Sequence, residues 1–269
     1  MNMDAIPFSV YRNRLQRSIG GSLSRPGWLI AFFKGPAVRL FLVLFGFVPT
    51  LSVCENLMLP DTILAQEVKQ NSKFVIARMK YGGGGDWYND PSSEVNMLKF
   101  LKTHTNIDVE VKTEEFVEVG SEKLFGYPFV FMTGHGNINF TEQEAQNLRN
   151  YLENGGFLYV DDDYGLDDAF RREIKKVFPD KEMVELPFSH GIYHSHFQFP
   201  NGLPKIHEHN GKPPQGFGIF HNGRLVLFYT YESNLADGWA DPDVHKDPEP
   251  VREKSLEMGT NIIVWALTN

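Results

Sequence analysis

Cysteine is almost absent from this chain: Cys54 is the only one in 269 residues. That excludes an intrachain disulfide and a cysteine-rich zinc site. Other chemical signatures are missing too. There is no G-x-S-x-G elbow, no G-K-[ST] phosphate loop, no G-x-G-x-x-G dinucleotide turn and no H-E-x-x-H zinc helix. Repeats and low-complexity tracts are also lacking. Basic residues are in deficit, 26 against 34 acidic ones, for a formal net charge of −8. A nucleic-acid surface would be basic, so the composition argues against that partner.

Apolar residues are not lacking. Hydrophobic side chains make up 42% and aromatics 13%, enough to build a core. The length fits one large domain, or one domain with an appendage. The appendage is expected at residues 1–72. Arg12, Arg14, Arg17 and Arg25 precede "WLIAFFKGPAVRLFLVLFGFVPTLSVC", whose uncharged part, Leu40 to Cys54, is 15 residues long. That length suits a signal-peptide core better than an independent membrane span, and the basic flank orients the chain for export. Cleavage is expected after Ile63–Ala65. Without cleavage the segment is a membrane anchor. "LSVC" resembles a lipoprotein box with Val53 where a small residue belongs. The expected location is therefore periplasmic, or membrane-anchored with the domain outside the cytoplasm.

From residue 73 onward, strands and helices alternate. "KFVIARMKY", "IDVEVK", "YPFVFM", "FLYVD" and "GRLVLFYTYES" read as strands. "DPSSEVNMLKFLKTH" reads as a helix capped by Asp90 with Pro91 at its first position. "TEQEAQNLRNYLENGG" carries a Thr141/Glu144 capping box and a glycine stop at Gly155. "LDDAFRREIKKVFP" and the chain end also read as helices. Apolar runs separated by helices predict an α/β fold with a mostly parallel sheet covered on both faces. The stretch from Phe188 to Gly223 fits no such unit. It reads as a long inserted loop of the kind that often carries function.

Ligands of open α/β sheets bind beyond the carboxyl ends of the strands. Those ends nominate Gly83, Gly84, Asp86, Trp87 and Tyr88 after the first strand, and His135 after the third. They add Asp161, Asp163 and Tyr164 after the fourth. Asp161 and Asp163 share a direction if the strand persists, so they need a cation or an arginine such as Arg171 or Arg172. His190 and Trp239 complete the expected ligand-binding set. The inserted loop "HGIYHSHFQFPNGLPKIHEH" holds five of the chain's nine histidines. His194, His207 and His209 are the expected ligands should a divalent metal be the cofactor. Histidines in loops also serve as plain hydrogen-bond partners to backbone.

Several stretches together resemble one family: "FVIARMKYGGGGDWYND", "YPFVFMTGHG", "LRNYLENGGFLYVDDDYG", "LPFSHGIYH", "GLPKIHEHNGKPPQGFGIF" and "GRLVLFYTYESNLADGW". They look like the bacterial DUF4159 family over residues 73–269. The resemblance implies a flavodoxin-like fold similar to class I glutamine amidotransferases. It also implies an export signal and an envelope setting, since some members are encoded with von Willebrand-type and MoxR-type proteins. It implies no established reaction. Amidotransferases use a cysteine after a strand, and residues 73–269 have none, so glutaminase chemistry is not expected. Gly191 stands where the family more often has proline.

Three functions are then open. The chain is an exported or membrane-anchored module binding a polar small molecule or envelope protein at the strand-end rim. Alternatively it is a metal-dependent hydrolase with a histidine–aspartate site. The third reading is a non-catalytic scaffold that docks through "ADGWADPDVHKDPEPVRE".

Overall fold

The computed structural model describes residues 73–269 apart from positions 114 and 208. The export segment expected within residues 1–72 lies outside the described residues. Among the described residues, no helix is long and apolar enough to cross a membrane.

Seven strands form one sheet. They are β1 (Ala77–Lys80), β2 (Phe116–Glu118), β3 (Phe129–Met132), β4 (Phe157–Asp161), β5 (Val184–Glu185), β6 (Gln215–His221) and β7 (Arg224–Tyr231). The helices are α1 (Ser93–His104), α2 (Glu142–Glu153), α3 (Asp167–Val177), α4 (Leu235–Trp239), α5 (Pro242–His245) and α6 (Glu249–Thr268). The sheet order is β2-β1-β3-β4-β7-β6-β5. The first five run parallel, and β6 and β5 each lie antiparallel to their inner neighbour. The parallel part has the 2-1-3-4-5 order of flavodoxin-like folds, whose chain reverses direction across the sheet between β1 and β3.

Alternation along the strands divides the core in two. Met79, Val130, Met132, Leu158 and Val160 face α2 and α3. Phe129, Phe131, Phe157 and Tyr159 face α1, α4 and α6. Both faces are apolar because both are covered, as a parallel sheet requires. Trp239 of α4 lies fully buried against Phe131 and Tyr159, with ring centroids 5.3 and 5.9 Å away. Its indole N–H donates to the Ser255 carbonyl at 3.1 Å. A Cβ on Gly259 would meet this indole at 2.5 Å, so glycine there lets α6 close over α4.

Four sequence expectations need correction. The first helix begins at Ser93 with Ser92 at its cap, because Asp90 adopts a left-handed φ of 44°. "IDVEVK" forms a single bridge, Phe74 with Val109, and the second strand lies later at Phe116–Glu118. The supposed loop Phe188–Gly223 contains β6, which pairs with β7 through the Asn222–Gly223 turn. Finally, Arg171 and Arg172 pair with groups other than Asp161 and Asp163. Arg171 bonds Asp167, and Arg172 bonds Glu173 and the Ile138 carbonyl.

Glu173 ties α3 to the β3–α2 loop. It is 1% exposed, accepts from the Phe140 N–H at 2.7 Å, and lies 2.7 Å from Lys176 Nζ and 2.9 Å from Arg172 Nε. Burial raises its carboxyl, but these partners outweigh burial and hold it below the usual glutamate range. A depressed folded-state value contributes stability that is complete above the ordinary range and lost as pH falls through the folded value. Glu173→Gln is therefore expected to cost about 1.5–3 kcal/mol in urea unfolding at pH 7. The gap to wild type should close as pH drops below the glutamate range.

Candidate functional site

The site starts from a charge buried in a strand. Arg78 sits in β1 at 5% exposure, and a buried guanidinium must be paired. It forms a forked pair with Glu94 of α1, its Nη2 donating at 2.7 Å. It also donates to the carbonyls of Trp87, Asn89 and Asp90. Those bonds fix the turn after β1 and aim Asn89 and Asp90 over the sheet's carboxyl edge.

The glycine run before that turn has a different task. A Cβ on Gly83 would meet the Asn139 N at 2.6 Å, and one on Gly85 the His135 carbonyl at 2.7 Å. The two loops zip together through Gly85 N–H to the Asn137 carbonyl and Asn139 N–H to the Gly82 carbonyl, both at 2.9 Å. The close approach sets Asp86 opposite His135. The His135 N–H donates to Asp86 Oδ1 at 2.5 Å, and its Nδ1 lies 3.0 Å from Oδ2. Burial opposes the Asp86 charge, but the His135 backbone and imidazole outweigh it and keep the carboxyl below its usual range. The far face of the half-exposed ring, Nε2, lies 3.6 Å from Asp163 Oδ2.

Asp163 opens a dense group of acidic and imidazole side chains. Asp163 and Asp237 are both buried, and Asn234 and Asn89 donate to Asp163. His207 reaches in from the histidine-rich loop, its Nδ1 2.5 Å from Asp237 Oδ2 and its Nε2 2.9 Å from Asp247 Oδ1. His245, at the end of α5, lies 2.9 Å from Asp90 Oδ1 and 3.8 Å from Asp237 Oδ1. One atom each from His207, Asp237 and His245 falls within 4.8 Å of the others, and the same holds for Asp90, Asp163 and Asp237. Histidine nitrogen with carboxylate oxygen suits manganese, zinc or iron.

Three features mark this rim as demanding. Burial, then the Asp237 charge, pushes Asp163 well above the carboxylate range. For Asp237, burial is outweighed by His207 and the other neighbours, which keep its carboxyl low. The Asp237 hydrogen bond, opposed by burial, raises His207 to about 9. No N–H or O–H donor reaches Asp237 Oδ1, Asn89 Oδ1, Asn234 Oδ1 or Asp247 Oδ2, although all are buried. Left-handed φ values at Asp90, Tyr164, Glu232, Asn234 and Lys246 crowd the same loops. Such strain gathers at functional sites.

A family model described as a domain of unknown function, DUF4159, matches residues 75–267. The chain belongs to the DUF4159 family. No curated protein matches it.

The DUF4159 domain brings together Asp86, His135, Asp161, Asp163 and His207 of the residues expected from sequence. Asp161 lies just beneath, bonded by Thr230 Oγ1 and by the Ala236 N–H at 2.7 Å; burial raises it to about 7. His209 stacks on the exposed Tyr164, centroids 4.8 Å apart, at the margin. Trp87 and Tyr88 line a separate cleft of about 360 Å³ with Phe116 and Lys112. Gly83 and Gly84 belong to the loop zipper. Trp239 is fully buried in the core. His190 caps Ile192 N–H at 3.2 Å and packs on Trp265 and Phe220, at the end of the sheet where β7 begins. His194 bonds Gln198 and the Phe188 carbonyl, at 2.9 and 2.8 Å, away from the carboxylates.

Sequence reasoning missed Asn89, Asn234, Asp237, His245 and Asp247, and took Asp90 only as a cap. The signal for Asp237, His245 and Asp247 was "ADGWADPDVHKD", read as an acidic docking loop. Its Pro242 and Asp243 start the turn that delivers His245.

Arg78 is the test of this assembly. Arg78→Ala leaves Glu94 buried without a partner and is expected to cost about 3–5 kcal/mol in chemical unfolding. A loss under about 1 kcal/mol, the surface-pair range, would show that the β1 turn holds itself.

Proposed function

We propose that this domain, exported or membrane-anchored through the segment before it, binds a divalent cation at the carboxyl rim of its sheet and there holds a polar ligand. The observation that carries the reading is the convergence of His207, Asp237 and His245, with the buried Asp237 Oδ1 lacking any donor. A proton shared with Asp163, or a cation, would satisfy that oxygen. Asp247 on His207 Nε2 supplies the carboxylate that commonly orients a metal-binding imidazole. The strand order also supports a likeness to class I glutamine amidotransferases, although no cysteine is present in residues 73–269 to act as their nucleophile.

Calorimetric titration of untagged, chelator-stripped protein with Mn²⁺ tests this. Saturable binding is expected with Kd below about 100 µM. It should weaken about 10-fold or more in His207→Ala and persist in His194→Ala. No binding, or equal binding by His207→Ala, rejects the reading.

His135 favours a second reading, metal-dependent hydrolysis. Asp86 orients its imidazole and its free nitrogen faces Asp163, the arrangement of a general base beside a cation that activates water. The Mn²⁺-loaded protein is then expected to hydrolyse p-nitrophenyl phosphate or acetate. His135→Ala should slow turnover about 100-fold or more with Mn²⁺ affinity unchanged. An inert wild-type protein excludes hydrolysis of these esters.

A further inference from the structure

Asp237 belongs to both groups of metal-capable side chains. One group adds His207 and His245, the other Asp90 and Asp163. We infer that the rim holds two divalent cations bridged by the Asp237 carboxylate; the inference rests on the cation reading above and extends it.

The two oxygens of Asp237 have different surroundings. Oδ2 faces His207 Nδ1 at 2.5 Å and receives the Asn234 amide at 3.1 Å. Oδ1 receives no donor and lies 3.8 Å from His245 Nε2. Asp237 is 4% exposed and Asn234 fully buried, so water does not satisfy these atoms from bulk. Asn234 Oδ1 is a second donorless, fully buried oxygen beside the group.

Charge points the same way. Asp90, Asp163 and Asp237 lie within ligand reach of one another, with Asp247 behind His207 and Asp161 beneath. A neighbouring lysine and arginine are committed elsewhere. Lys205 pairs with Glu232 at 2.6 Å, and Arg78 pairs with Glu94 and gives Asp90 only a bond to its carbonyl. Each group of three offers its own set of donor atoms, and the Asp237 carboxylate is the member they share, so each set can take one ion. The positions differ in chemistry: nitrogen-rich on the His207/His245 side, all-oxygen on the Asp90/Asp163 side. Manganese accepts both donor sets. Paired sites share bridging ligands and hold their metals about 3.5–4 Å apart.

The test is metal content and electron paramagnetic resonance of untagged protein equilibrated with Mn²⁺. Two equivalents per chain and an exchange-coupled spectrum are expected. Asp163→Asn should drop the content to one and abolish the coupling, leaving an isolated Mn²⁺ signal. Asp237→Asn should lose the coupling as well; if that variant fails to fold, Asp163→Asn carries the decision. One equivalent with no coupling in wild type overturns the paired centre while leaving the single-cation function standing. No bound Mn²⁺ overturns both.

Discussion

A guanidinium buried in a parallel strand is the constraint on which the rim depends. Arg78 lies buried between Ala77 and Met79 of β1, so its charge must be answered locally. Glu94 answers it from the first turn of α1, and three consecutive-turn carbonyls take the remaining donors. This satisfies the charge and also shapes the chain. Asp90 is held in a left-handed conformation, helix α1 starts two residues late, and Asn89 and Asp90 are presented to Asp163 and His245. One electrostatic requirement in the core thus becomes geometry at the surface.

The opposite wall of the site is built by comparable means. Glu232 follows β7 with a left-handed φ and receives Lys205 Nζ at 2.6 Å and the Asn210 N–H at 2.9 Å. Ile206 N–H reaches the Ser233 carbonyl at 2.9 Å. These bonds pin both ends of the segment bearing His207, so its imidazole arrives at Asp237 from a held loop. Trp239, wedged among Phe131 and Tyr159, fixes α4 and therefore Asp237 itself. Rigid aromatic packing beneath and paired charges at the sides support a centre whose own polar atoms are incompletely satisfied. Locally costly groups on a well-determined frame are the usual signature of function.

The histidine-rich loop illustrates how a composition signal divides. His190, His194 and His196 are used inside the fold, as a cap and as partners of backbone carbonyls. His207 alone joins the carboxylates, and His209 stacks beside them. The count of histidines pointed at the right segment. Spacing could not separate structural imidazoles from the one that meets Asp237, because all five sit in similar polar surroundings along the chain.

Periodicity by itself determined most of the fold. The apolar runs of β3, β4 and β7, the Thr141/Glu144 capping box and the amphipathic α3 are local patterns that report their own burial. Sequence also placed Asp86, His135, Asp161 and Asp163 at strand ends, since parallel strands bring those ends to one rim. It could not read β2 or β6. Phe116–Glu118 is a three-residue edge strand, and β6 alternates with glycines that carry little hydrophobic signal. Nor could it reveal Asp237, His245 or Asp247, which come from two short helices and the turn after them. Only the tertiary structure decided that these residues face His207 and Asp163. Their meeting depends on long-range contacts between the chain's ends, and such contacts leave no local pattern.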